Sequence, residues 1–204
     1  MECCSRLPVS RSRLPPPKNG ADRTCPVARR HASRFPSARI PPTPLAERRS
    51  GDGTTPSGVF GIGTMTAPNG DQFQFFGNGA NPGVHGDWHQ VQYGDCWEET
   101  PGDPAYNTLV ARPPSQCVGP DDEYLPGSPT AYSRAALIDA NMGPNRSGDQ
   151  PGEPALAAAI FLHRYSLDAN GNSKATAGCV SLAGGDLDFV LTRIVPGQAY
   201  FVIG

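Results

Sequence analysis

Apolar residues in this chain come in short runs rather than long periodic stretches. VFGIGTM at 59–65, QFQFF at 72–76 and WHQVQY at 88–93 are rich in β-branched and aromatic residues. Clusters of Gly, Asn and Pro separate them, a punctuation that predicts strands joined by turns. Residues 94–131 carry Pro, Asp and Gly throughout and read as a long ordered loop. The segment YSRAALIDAN at 132–141 suits a strand or a short helix, and the pattern alone does not choose between them. LAAAIFLH at 156–163 is continuously apolar, as a strand buried on both faces is. Helical spacing is met once, where Leu187, Val190, Leu191 and Ile194 fall at i, i+3, i+4 and i+7. Asp186 and Asp188 suit the amino end of that helix, and Pro196 follows it. Residues 199–203 then predict a final strand. The pattern is that of a mainly β, or α+β, protein with one short helix near the carboxyl end.

Composition divides the chain in two. At 204 residues, with Gly 24 and Pro 23, there is room for one loop-rich domain and a tail. Residues 1–50 hold 11 Lys/Arg against Glu2, Asp22 and Glu47, a balance of +8, and the remainder balances at −10. The basic part has no Trp or Tyr, a single Phe at Phe35, and the proline run Pro15-Pro16-Pro17. Such a segment cannot bury enough apolar surface to offset its ordering entropy. Residues 1–54 are therefore expected to be a disordered basic Pro/Arg-rich tail, a linker or residues upstream of the natural start, with the domain spanning 55–204. A basic arm for nucleic acid is the rival use of that charge; the expectation is no nucleic-acid partner.

No stretch of the tail has the 7–15-residue apolar core of a secretory signal, and no segment of the chain approaches the ~20 apolar residues of a membrane span. Of the six cysteines, Cys3, Cys4 and Cys25 lie in the tail, leaving Cys96, Cys117 and Cys179. Cys96 and Cys117 flank one loop-rich segment and are the natural pair; three reduced thiols in a cytosolic protein are the alternative.

Candidate chemistry centres on His163 and Cys179. Asn170-Gly171 between them is the strongest short-range hairpin signal, and a two-residue turn there places His163 opposite Gly178 on facing strands. Cross-strand neighbours at ~5–8 Å are within reach of each other. The pair can be a thiolate nucleophile and its base, with the Gly178 and Cys179 amides binding an oxyanion. It can also be a zinc corner completed by a loop histidine, or two core residues that meet by chance. His85 and His89 lack the glutamate of a zincin pair, and Asp168, Asn170 and Asn172 lack the glycine and glutamate of a calcium loop. Asn145-Arg146-Ser147 is a glycosylation triplet without evident meaning. Trp88, Trp97 and Tyr106 read as core aromatics rather than a ligand box.

AIFLH at 159–163 followed by TAGCV at 176–180 closely resembles the catalytic segment of YkuD-type L,D-transpeptidases, most of all a divergent actinobacterial branch. The likeness extends to Trp97, Tyr106, Asn107, the stretch Tyr132 to Asn141 and the terminal Phe201 to Gly204. It implies a β-sandwich-like YkuD fold and a cysteine acyl-enzyme that takes an acyl group from a peptidoglycan stem peptide and passes it to an amine. By that resemblance Cys179 is the nucleophile, His163 the base, the backbone carbonyl of Arg164 the third member, and Gly178 an oxyanion amide. Thr176, Ala177 and Ser181 fall at substrate-binding positions. Ala177 stands where the family has a second His, and Ser181 where it has Arg or Asn.

No cofactor and no metal are implied. The expected partners are peptidoglycan stem peptides, met by a monomer in the cell envelope or outside the cell. With water as acceptor the same chemistry makes an L,D-carboxypeptidase. A papain-like peptidase fits less well, since there Cys precedes His. A wall-binding module with a lapsed pair is the non-enzymatic alternative.

Overall fold

A computed structural model describes residues 42–204. Thirteen strands and a single α-helix are present among the described residues. In chain order the strands are β1 (Thr43–Pro44), β2 (Pro56–Phe60), β3 (Met65–Thr66), β4 (Gln72–Phe73), β5 (Phe75–Gly77), β6 (Trp88–Gln90) and β7 (Asp95–Glu98). Then come β8 (Thr108–Ala111), β9 (Glu123–Tyr124), β10 (Ala135–Leu137), β11 (Phe161–Arg164), β12 (Val180–Leu182), the helix α1 (Gly184–Leu191) and β13 (Phe201–Ile203). No helix among the described residues is long and apolar enough to cross a membrane.

The centre is a five-stranded sheet in the order β12-β11-β10-β5-β6. Its two faces are both covered, which explains the unbroken apolar runs of its strands. On β10 and β11, Ala135, Leu137 and Phe161 point to one core with Phe73, Phe76, Trp97 and Tyr132. Ala136 and Leu162 point to the other, with Phe75, Ile138, Leu187, Leu191 and Ile194. Alternation along β11 thus puts His163 on the same face as Phe161. α1 packs against the second core through Leu187 and Leu191, while the half-buried Val190 only borders it. Asp188 of α1 is held by Arg134 at 2.7 Å.

Three expectations are corrected. The hairpin through Asn170-Gly171 closes locally, with Leu167 bridging Ser173, but it does not propagate. The chain crosses back, and β12 lies parallel to β11 with His163 opposite Ser181. The segment 94–131 is no loop. β7, β8 and β9 form an antiparallel sheet in which all four residues of β7 are buried. Its polar members are paired, Glu98 with Arg112 and Asp95 with His89, so buried charge disguised the strand as loop. The Thr55 boundary also fails for its last residues. β1 pairs with β2, and Arg48 is buried behind it, bonded to Thr54 O at 3.0 Å. The remainder of the expected tail, 1–41, lies outside the described residues.

Cys96 and Cys117 form a disulfide with Cα atoms 5.8 Å apart. It ties β7 to the loop that leads into β9. Asp122 fastens the same loop, accepting from the Glu99 and Gly119 amides at 2.9 Å each.

Candidate active site

Cys179 closes the loop that enters β12, and is the single free thiol among the described residues. Thr176 Oγ1 donates to Cys179 O at 2.7 Å and accepts a long 3.4 Å contact from the Gly178 N–H. Gly178 has φ +131°, and a Cβ there would meet Thr54 O at 2.6 Å and Arg48 Nη2 at 2.7 Å. Only glycine lets the loop lie this close to the buried arginine. Arg48 in turn donates from Nη2 to Ala177 O at 3.0 Å, so its guanidinium fixes the residues just before the thiol.

Parallel pairing sets Cys179 beside the start of β11. Its Sγ donates to Ala159 O at 3.1 Å and accepts from the Phe161 N–H at 3.3 Å. Ala159 has φ 50°, an uncommon setting for a residue with a Cβ, costing about 1–2 kcal/mol. Asn107 holds it there by accepting the Ala159 N–H at 3.0 Å. The same Asn107 Oδ1 accepts from Trp97 Nε1 at 2.9 Å. Trp97 and Tyr106 are core aromatics, as expected, and Trp97 is also part of this support.

His163 is buried at the sheet's end, its ring edge-on to Tyr132 with centroids 5.6 Å apart. Nδ1 lies 2.7 Å from Arg164 O. A carbonyl can only accept, so Nδ1 carries the proton and the lone pair sits on Nε2. Burial lowers the His163 pKa, opposed by the Arg164 hydrogen bond and by Glu123. Burial pushes the Cys179 thiol up to about 12; the Phe161 N–H opposes this, and Glu123 and Glu99 add to it. Thiol and imidazole are therefore both neutral at rest, where the sequence reading had a thiolate held by the histidine. No hydrogen bond joins the two side chains in this state. Iodoacetamide, which reacts with thiolate, should label Cys179 slowly at pH 7 and progressively faster through pH 9, as followed by peptide mass mapping. A labelling plateau below pH 8 would refute the buried-thiol state.

His163 and Cys179 both line one cavity of about 270 Å³. Thr176 and Ala177 are on its wall; Ser181, inside β12, is not. Arg164 contributes its carbonyl. The zinc alternative finds no support. His89 is engaged by Asp95 at 2.8 Å, and among the described residues no third ligand gathers with His163 and Cys179. Cys96, Cys117 and Asp122 do cluster, but both sulfurs are spent in the disulfide.

The family model of the YkuD L,D-transpeptidase catalytic domain matches residues 27–203, most of the chain. The chain belongs to that family. Its strand-rich fold with one helix is the mainly β, α+β arrangement expected of a YkuD domain. The family's chemistry is L,D-transpeptidase catalysis on peptidoglycan peptides. Neither the curated proteins nor the solved structures yield a significant match.

Sequence reasoning missed Arg48, Glu99, Asp121 and Glu123, all on the cavity wall. Arg48 was hidden by the basic composition around it. The run Asp121-Asp122-Glu123 was the one local signal for the acidic side.

Proposed function

We propose that this YkuD domain is a cysteine acyltransferase that cross-links peptidoglycan stem peptides through a thioacyl-enzyme on Cys179. The observation that carries the reading is the pairing of a free thiol and a neutral imidazole on one cavity, with the imidazole's Nδ1–H fixed by Arg164 O. That bond aligns Nε2 as proton acceptor. As Cys179 Sγ attacks the donor carbonyl, its proton passes to His163 Nε2, and the developing oxyanion is met by the Gly178 and Cys179 amides. Collapse breaks the peptide bond to D-Ala, and the imidazolium returns its proton to the departing amine. The acceptor amine then attacks the thioester, gives up a proton through His163 and frees the thiol.

The cell envelope is the proposed place of action, supported by the family's substrate and by a disulfide that persists in oxidising surroundings. Thr176 and Ala177 are proposed substrate contacts on the cavity wall; Ser181 lies off that wall, inside β12.

The test is intact-mass spectrometry of the protein incubated with a stem tetrapeptide. The expected adduct is the tetrapeptide less D-Ala, on the peptide containing Cys179, and it should turn over to a cross-linked dimer when an acceptor stem is added. Release as the free acid in the presence of acceptor would make the protein a carboxypeptidase. Absence of any adduct, with donor peptide or with a carbapenem, would remove the catalytic reading and favour a wall-binding module.

A further inference from the structure

Arg48 lies on the cavity wall at 2 % exposure. Its hydrogen bonds all go to carbonyls: Nε to Thr54 O and Nη2 to Ala177 O at 3.0 Å each, and Nη1 to Arg49 O. One carboxylate stands by, that of Asp52, 3.4 Å from Nε. A guanidinium buried to hold carbonyls costs more than an apolar side chain filling the same space. Two of its carbonyls belong to its own segment. The third lies 129 residues away, in the loop that carries Cys179, and Arg48 is the single donor to it among the described residues.

That third bond bears on the chemistry. Ala177 O and the Gly178 N–H belong to one planar trans peptide, so they point in opposite directions. Holding the oxygen toward Arg48 turns the N–H away from it. Ala177 is exposed and carries only a methyl group, which cannot fix its own loop. The N–H so turned is nearly free: its one contact among the described residues is the 3.4 Å approach to Thr176 Oγ1, and the Cys179 N–H has none. Both can therefore meet an anionic oxygen. A charged donor on the oxygen of a peptide also polarises it, which strengthens the N–H at its other end.

We propose that Arg48 is a positioning residue for acyl transfer: through the Ala177 carbonyl it aims and polarises the Gly178 N–H toward the oxyanion formed as Cys179 attacks. This rests on the acyltransferase reading, and in this role Arg48 touches no reacting atom. Residues 42–54, a tail by composition, then belong to the machinery.

The experiment uses the full chain carrying Arg48→Met. Stopped-flow acylation by a carbapenem at pH 7, over a range of concentrations, separates binding from the acylation step. Iodoacetamide alkylation of Cys179 at pH 9 is the control. It displaces iodide and forms no oxyanion, so it reports the thiol and its access alone. The acylation rate constant should fall about 10–100-fold, short of the ~10²–10³ for losing an oxyanion donor outright, while binding and alkylation stay within about threefold. Should Arg48→Met fail to fold, Arg48→Lys, which keeps the charge and loses the fork, is expected to show the same split at about fivefold. Acylation and alkylation that change by one common factor would make Arg48 a structural prop and overturn the proposal. A loss confined to carbapenem binding, or acylation at the rate of the unmutated protein, overturns it too. Unmutated protein that is alkylated but never acylated removes the enzyme reading and the role of Arg48 with it; acylation indifferent to Arg48 removes the role alone and leaves the enzyme.

Discussion

Acyl-enzyme formation is expected to disappear in Cys179→Ala and to slow by about 10²–10⁴-fold in His163→Ala, the usual scale for losing a positioned base. The first holds because, among the described residues, no other free thiol exists. The second comes from the resting protonation states. A thiol near 12 is ionised to about one part in 10⁵ at pH 7. Attack therefore needs its proton removed during the step, and the Nε2 lone pair of His163 is the group prepared to take it. His163 itself titrates below the ordinary histidine range because it is buried. The base is then free at all pH values above that range, and the wild-type rate should be flat there, falling as acid protonates the ring. His163→Ala should instead show a rate that climbs with hydroxide, tenfold per pH unit. Stopped-flow acylation by a carbapenem across pH 5–9 reads both the drop and the change of profile. A His163→Ala rate within threefold of wild type at pH 7, in a variant that melts normally, would take the base role away.

The elements that the sequence predicted well are those whose burial is carried by apolar residues. The run 156–163 is buried on both faces because β11 lies between two cores, and its uninterrupted hydrophobicity said so. The helix was legible for the same reason, since Leu187 and Leu191 lie a turn apart on the face that packs. Where burial is carried by charge, the pattern misleads. Asp95 and Glu98 sit inside β7 only because His89, from β6, and Arg112, just beyond β8, meet them, and the residues of the strand itself show neither partner. Arg48 is hidden in the same way: a buried cation in a basic, proline-rich stretch reads as tail until the Ala177 carbonyl it holds is seen. The Asn170-Gly171 signal marked a real turn, but one residue longer than the two-residue form, with Leu167 opposite Ser173, and it was silent on the path of the chain beyond Ser173. Residues 174–178 bring the chain back parallel, and the Cys179 neighbour this selects is Ala159 rather than His163.

That neighbour leads to the largest stability effect expected of one substitution. Asn107→Ala should lower the melting temperature by roughly 10 °C. Asn107 itself has φ 56°, which asparagine tolerates better than alanine. Its Oδ1 serves Trp97 Nε1 and the Ala159 N–H, and its Nδ2 donates to Ala140 O at 3.3 Å and Asn141 O at 2.6 Å. The site is 1 % exposed, so alanine strands two buried donors and two carbonyls together. At 1–3 kcal/mol for each group left unsatisfied, the loss is about 3–5 kcal/mol even if some carbonyls find water. A domain of this size converts each kcal/mol to about 2–4 °C. The consequence reaches the site, because the freed Ala159 can abandon its left-handed setting and carry away the carbonyl that holds the Cys179 thiol. Acylation measured well below the melting point should therefore fall as well, with faster iodoacetamide labelling of Cys179 at pH 7 as the buried thiol is released. Scanning calorimetry decides the first part. A shift under 2 °C would mean that Trp97 and Ala159 are supported by something other than Asn107.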